Sequence, residues 1–303
     1  MSEEPSWDLY RTFLTVLAHG SLSAAARELG LTQPTIGRHI DALEQAVGAE
    51  LFTRSQSGLL PTDAAQLLAP FAQTMAASSS ALLRAASGHR DRIDGTVRIS
   101  ASEVIAVEVL PPILAALQDR HPELEIELSA SDTVEDLLNR EADIAVRMME
   151  PQQDALVVRR IGDIPIGCYA HHAYLEKHGT PQTLEDIKTH RLIGFDRQTA
   201  YVRTMVKRFP VAEGIAFSLR TDSYLAQLAA IRAGAGIGMC QTGLGDADPN
   251  LRRVLPGVMD MHIGTWVAMH ENLKTSPRCR VAFDALVEGL KLYLDSCAIT
   301  RAR

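Results

Sequence analysis

The sequence predicts an α plus α/β chain: an N-terminal winged helix-turn-helix, a long linker helix, and a C-terminal half in which strands alternate with helices. Three observations predict it. Residues 21–61 carry two short amphipathic helices split by a tight turn, then a hairpin pattern. Residues 62–87 form an alanine-rich stretch of helical periodicity. From Gly95 onward, apolar runs of strand length alternate with helical runs. The 303 residues suffice for two or three domains, and 46% hydrophobic with 22% charged residues describes an ordinary folded protein. No apolar run approaches the roughly 20 residues of a membrane span. The acidic start Met1-Ser2-Glu3-Glu4 leads into no apolar h-region, so the expected compartment is the cytoplasm.

Leu9, Phe13, Val16 and Leu17 mark a first helix packed under the helix-turn-helix. Ser21 caps the next, whose apolar face is Leu22, Ala25, Ala26 and Leu29; Gly30 ends it. Thr32 caps a third helix with Pro34 in its first turn and Ile36, Ile40, Leu43 and Val47 on its buried face. Gln33, Pro34, Thr35, Arg38 and His39 lie at its start or off that face. Such a pair places its second helix in a DNA major groove; the alternative from the pattern alone is a helical hairpin in an ordinary core. Glu50–Arg54 and Gly58–Pro61 form a wing around SQSG, with Arg54 and Ser57 near its tip.

Thr62 caps a long helix to about Ser87, with Leu67, Leu68, Phe71, Met75, Leu82 and Leu83 on one side and a kink expected at Pro70. It has no core of its own, so pairing with a second chain is expected. Gly88–Asp94 is a polar hinge. Strands are expected at 95–101, 124–129 and 143–147, with helices at 104–120 and 134–140. A second unit follows, with strands at 164–169, 192–195, 215–220 and 237–240 and a helix at 222–233. A strand at 262–269 and a helix at 277–294 close the chain. This alternation implies a mainly parallel sheet under helices.

Charge argues mildly against DNA. The net charge is −7. Residues 1–62 hold Arg11, Arg27, Arg38 and Arg54 against Glu3, Glu4, Asp8, Glu28, Asp41, Glu44 and Glu50, an excess of three negative charges. Local placement resolves this if Arg38 and Arg54 face DNA while Glu44 and Glu50 face away. Cys168, Cys240, Cys279 and Cys297 have no C-x-x-C spacing, so neither zinc nor a dithiol is indicated and buried thiols are expected.

Ala25, Ala26, Leu29, Gln33, Pro34, Ile40, Leu43, Glu44, Val47, Gly48, Leu51, Phe52 and Arg54 stand at the positions of a long motif. On these residues the segment resembles the winged helix of LysR-type transcriptional regulators. Gly37 departs from it, standing where the family usually has serine, which puts the common operator pattern in doubt. The runs LPPILAALQDRHPELEIEL and EDLLNREADIAV resemble the family's effector domain. The resemblance implies a two-lobed α/β fold similar to periplasmic binding proteins, crossing near Asp163–Gly167 and returning near Gly264–Ala268. It also implies a linker helix that dimerises the heads. The resulting division is 5–62 for the DNA-binding domain, 63–94 for the linker helix and hinge, and 95–303 for the effector domain. Its first lobe is about 95–163 and 268–303, its second about 164–267.

The expected DNA-binding residues are Ser23, Thr32, Gln33, Pro34, Thr35, Arg38, His39, Arg54 and Ser57. A small molecule is expected beyond the carboxyl ends of the strands, near helix starts. Candidates are Ser100, Ser102, Glu103, Thr133, Arg147 and Ser223, with Ser102 and Thr133 at positions where the family typically uses hydroxyls. Plain helix capping explains the hydroxyls equally well, and Glu103 and Asp132 oppose Arg147 in sign, so no effector is named. Gly234-Ala235-Gly236-Ile237-Gly238 follows a helix and precedes a strand, the reverse of a dinucleotide site. His171 and His172 are adjacent, so they are expected to point differently as exposed histidines without metal-ligand spacing. No catalytic motif is visible, and no enzyme activity, cofactor or metal is expected. The expected function is DNA binding modulated by an effector, with homodimer or homotetramer, operator DNA and an unidentified small molecule as partners. Two readings stay open: a regulator whose lobes have lost their ligand, and a solute-binding or enzymatic α/β protein whose N-terminal helices only pack or dimerise.

Overall fold

The computed structural model describes residues 4–55, 58–87, 93–132, 142–151, 156–197 and 216–300, with the side chains of 81, 84–87 and 298–300 left aside. It divides into two compact units, the first built from residues up to Ala86 and the second from Ser87 onward apart from 135–141.

In the first unit, α1 (Trp7–His19), α2 (Leu22–Leu29) and α3 (Gln33–Val47) bury Phe13, Val16, Ala25, Ala26, Ile36, Ile40 and Leu43 in one core. The caps follow the residue types. Ser21 Oγ accepts from the Ala24 amide, Thr32 Oγ1 from the Thr35 amide, and Gly30 takes φ 65° to close α2. The wing pairs β1 (Phe52–Ser55) antiparallel with β2 (Gly58–Pro61). It is tied to the helices where the Leu59 amide donates to the Gly20 carbonyl over 2.8 Å.

Helix α4 (Asp63–Ser87) starts on Thr62, whose hydroxyl accepts from the Ala65 amide. Its inner side, Ala65, Leu68, Ala69 and Ala72, joins the head core. Leu67 and Phe71 stay 72% and 74% exposed, and Met75, Leu82 and Leu83 are exposed as well. Leu68 thus lies apart from the outward stripe with which the sequence groups it: small alanines beside it let α4 settle on the head.

The second unit holds a seven-stranded sheet in the order Leu251–Val254 (β10), Leu156–His171 (β6), Met261–His270 (β11), Ile144–Arg147 (β5), Gly95–Ala101 (β3) and Leu124–Ala130 (β4), with Gly238–Gln241 (β9) also paired to β6. The central strand β3 (Gly95–Ala101) runs parallel to β4 (Leu124–Ala130) and β5 (Ile144–Arg147). The long strands β6 (Leu156–His171) and β11 (Met261–His270) pair antiparallel, with a register shift at Thr265/Trp266. The sheet is therefore mixed where a mainly parallel one is expected, because a chain that crosses between lobes and later returns must run both ways. One core gathers β3, β5, α5 (Leu110–Arg120) and the C-terminal helix. Two smaller clusters lie beyond β6, around Cys168, Tyr174 and Ile237 and around Tyr169, Leu228 and Ile231. Those cores define two lobes.

In the second lobe are α6 (His172–His178), α7 (Leu184–Ile187), β7 (Ile193–Gly194), β8 (Leu219–Arg220), α8 (Tyr224–Arg232), β9 (Gly238–Gln241), α9 (Thr242–Ala247) and β10 (Leu251–Val254). Helix α10 (Pro277–Thr300) closes the chain. The expected helix at 134–140 and part of the strand at 215–220 lie outside the described residues.

Candidate functional site

The amino-terminal end of α3 is presented outward on a buried base. Ile36, Ile40 and Leu43 anchor one side, while Gln33, Pro34 and Arg38 are exposed on the other. Ser23 of α2 donates its hydroxyl to Gln33 Oε1 over 3.1 Å, which fixes the amide with its NH2 group free. Thr35 is bound to Thr32 by a hydroxyl–hydroxyl contact of 2.8 Å. His39 turns back toward α1, its Nδ1 lying 2.9 Å from Thr12 Oγ1. Thr12 already gives its only hydroxyl proton to the Asp8 carbonyl, so the ring must donate through Nδ1, leaving Nε2 as its acceptor when neutral. Arg38 and Arg54 are exposed, Arg54 on β1 of the wing; Ser57 lies outside the described residues.

One acidic residue is absorbed structurally. Glu44 Oε1 accepts from the amides of Leu51 (2.7 Å) and Phe52 (3.3 Å), fixing the entry to the wing. This local role is invisible in a charge count. His19 and Glu28 form a second internal pair.

In the second unit, the carboxyl ends of β3 and β5 meet the start of a helix. Ser100 and Arg147 are 2% and 7% exposed, and Arg147 Nη2 donates to Ser100 Oγ over 2.7 Å. Ser102 stands just before the helical run that starts at Glu103; its carbonyl accepts from the Ala106 amide and its own amide donates to the Val146 carbonyl. Its own hydroxyl is buried, with no hydrogen-bond partner among the described residues. Asp132, from the end of β4, accepts from the Glu103 amide over 3.2 Å. Burial raises the Asp132 carboxyl above its ordinary range, against the opposing effects of that amide and of Arg147. Glu103 reaches the second lobe, where Ser223 Oγ donates to Glu103 Oε2 over 3.0 Å. Ser223 also caps α8, accepting from the Ala226 amide. The structure thus links Ser100 with Arg147 and Glu103 with Ser223 around Ser102. Thr133 lies outside the described residues.

Two residues of this crevice were missed by sequence reasoning. Glu108 and Arg232 form a two-bond pair between the lobes, at 2.8 and 2.9 Å. The signal for Glu108 was the Pro111-Pro112 pair that follows it, which disturbs the helix there.

All four cysteines are buried as thiols rather than joined in disulfides. Cys168 faces Met239 across β6 and β9 while Cys240 faces Gly167, which puts the two thiols on opposite sides of the sheet. Burial pushes the Cys168 thiol up to about 12. The rings of His171 and His172 stack, centroids 4.6 Å apart, rather than diverging, because His171 Nδ1 caps α6 through the Ala173 amide. Both are partly buried. Gly236 is a close-approach glycine: a Cβ there would sit 2.3 Å from the Arg191 carbonyl oxygen. Among the described residues no group of three metal-binding side chains occurs, and no helix is long and apolar enough to cross a membrane.

Residues 7–66 match the family described as "Bacterial regulatory helix-turn-helix protein, lysR family", and residues 90–291 match "LysR substrate binding domain". The chain is 27% identical over 224 residues to a probable HTH-type transcriptional regulator, LtrA, of Klebsiella pneumoniae, covering 74% of this chain and 71% of LtrA. It is 29% identical over 187 residues to the regulator CrgA of Neisseria meningitidis, covering 60% of this chain and 61% of CrgA. The solved structure of CrgA superposes with a TM-score of 0.58 at 24% identity, over 93% of this chain and 98% of that one. Full-length CbnR, solved with its target DNA, superposes with a TM-score of 0.63 at 20% identity, over 95% and 99%. The chain belongs to the LysR family of bacterial helix-turn-helix regulators: a DNA-binding transcriptional regulator with an effector-binding half, not an enzyme.

Proposed function

We propose that this regulator reads its operator with the amino-terminal end of α3 and the wing. Gln33, Pro34, Thr35 and Arg38 reach base edges or nearby phosphates, Ser23 and Thr32 hold Gln33 and Thr35 in place, and Arg54 and Ser57 touch the backbone beside the groove. His39 offers Nε2. The observation that carries this reading is the exposed Gln33–Arg38 end of α3 set on a fully packed base. Arginine bidentate to guanine and a glutamine amide paired with adenine are the specific contacts such a helix makes. The domains divide at residues 62 and 94, and α4 pairs two heads in a homodimer or a tetramer built from dimers. Its exposed Leu67, Phe71 and Met75 support that pairing.

The effector enters the crevice at Ser100, Ser102, Glu103, Thr133, Arg147 and Ser223. The buried Ser102 hydroxyl, with no partner among the described residues, supports this placement. A second reading, lobes kept only as a scaffold, draws support from the crevice residues that already satisfy one another: Arg147 with Ser100, and Glu103 with Ser223.

The test is a DNase I footprint on DNA upstream of the protein's own gene. A protected two-fold repeat that disappears with Arg38→Ala, in a variant that keeps its fold, is the expected result. Protection of no fragment at low salt, there or in a random genomic selection, overturns the reading.

A further inference from the structure

Helix α8 of the second lobe is held at both ends by carboxylates of one helical run in the first. At its start, Ser223 Oγ donates to Glu103 over 3.0 Å. At its last turn, Arg232 Nη1 and Nη2 donate to the two oxygens of Glu108 at 2.8 and 2.9 Å, and Arg232 Nε lies 3.4 Å from Asp248. Glu103 and Glu108 are five residues apart, which on an unbroken α-helix places them about 140° apart around the axis. Residues Ile105–Val109 instead form a π-turn, in which the Leu110 amide reaches back to the Ile105 carbonyl. That wider turn takes fewer degrees per residue, so it swings Glu108 back toward the face that carries Glu103. The sequence favours the turn, because Pro111 and Pro112 cannot donate to the carbonyls of Val107 and Glu108.

We propose that Glu103 and Glu108 form a two-point clamp on α8 that holds the two lobes together in the effector-free protein. The π-turn exists to aim both at once, and Glu108 and Arg232 are positioning residues of the effector response. An effector that engages Ser223 has to displace Glu103, which loosens one end of the clamp and leaves the Glu108–Arg232 pair to decide how far the lobes part. The regulatory meaning rests on the crevice being the effector site. The clamp itself does not, so it is tested on full-length protein without DNA or effector.

The experiment is hydrogen exchange followed by mass spectrometry, with the amides of α1 to α3 as internal reference. In Glu108→Gln, exchange should accelerate roughly tenfold at residues 224–232 as well as at 105–109, because a charge-assisted two-bond contact is lost from both lobes. Arg232→Gln, which also gives up the contact with Asp248, should accelerate at least the same segments, and the double variant should open no further than Arg232→Gln alone. Acceleration confined to the substituted segment, no acceleration at all, or singles whose effects multiply in the double variant overturns the clamp. Should Glu108→Gln fail to fold, Glu103→Ala, which removes the acceptor for the Ser223 hydroxyl, tests it from the other end. There, joint acceleration at 103–105 and 223–226 supports the clamp, and a change on one side alone overturns it.

Discussion

At the scale of residues, the acidic side chains of the head do different work despite equal charge. Glu44 accepts two amides at the entry to the wing, whereas the side chain of Glu50 is exposed. Glu44→Ala should therefore cost about 2 kcal/mol in urea unfolding and Glu50→Ala less than about 0.5. Equal costs would show that the wing does not depend on the Glu44 carboxylate. Two carboxylates of the effector half shift in opposite directions. The Arg232 guanidinium holds Glu108 below its ordinary 4.5, so the pair stabilises the fold above the usual carboxylate range and is lost as pH falls through the lowered value. Asp132 is raised by burial, so its ionised form is the disfavoured one and stability falls as pH rises through its titration. Asp132→Asn keeps an oxygen for the Glu103 amide and removes that penalty. The variant should match the parent near pH 3 and melt higher at pH 7; a lower melting temperature at pH 7 would show that the charge itself is needed.

At the scale of elements, what the sequence displays is what local chemistry decides. Ser21, Thr32 and Thr62 cap where their types predict, because an N-cap is settled within four residues. Strands β3, β4 and β5 follow their apolar runs. The first half of β6, LVVRR, went unread because it pairs antiparallel with β11 about a hundred residues away. Helix α6 went unread because its cap is a histidine. At the candidate sites, the outward face of α3 was legible from its periodicity, whereas the His39–Thr12 contact and the Glu108–Arg232 bridge depend on packing between distant segments. Two glycines of the head make opposite predictions. A Cβ on Gly58 would lie 2.6 Å from the Gly20 carbonyl oxygen, at φ 125°, so Gly58→Ala must push the wing away from α1. Its DNA affinity should drop several-fold with the three-helix core still folded. Gly37 has nothing within 4 Å of its would-be Cβ. Gly37→Ala should raise stability by about 0.5–1 kcal/mol, and Gly37→Ser adds a hydroxyl to the reading face. A base preference unchanged by that hydroxyl, in a selection from random DNA, would place residue 37 away from the bases.

At the scale of the whole molecule, the charge balance sets how the regulator holds DNA. Its head carries three excess negative charges, and Glu44 and Glu28 are tied to internal partners. The exposed arginines proposed to meet DNA are Arg38 on α3 and Arg54 on the wing. In the proposed pairing of two heads through α4 these become four. Each neutralised phosphate contributes about −0.9 to the slope of log K against log salt, so two heads predict a slope near −4. A slope steeper than about −8 would require phosphate contacts the head does not offer. The same surface carries Asp41, exposed and one turn beyond Arg38 on α3. A carboxylate there repels the backbone of any duplex, while the cytosine amino group is the partner it can accept from in a major groove. Asp41→Asn should bind random DNA more tightly than the parent and discriminate its operator less. If binding to random DNA is unchanged, Asp41 stands clear of the duplex, and the shallow salt dependence must come from the small number of arginines alone.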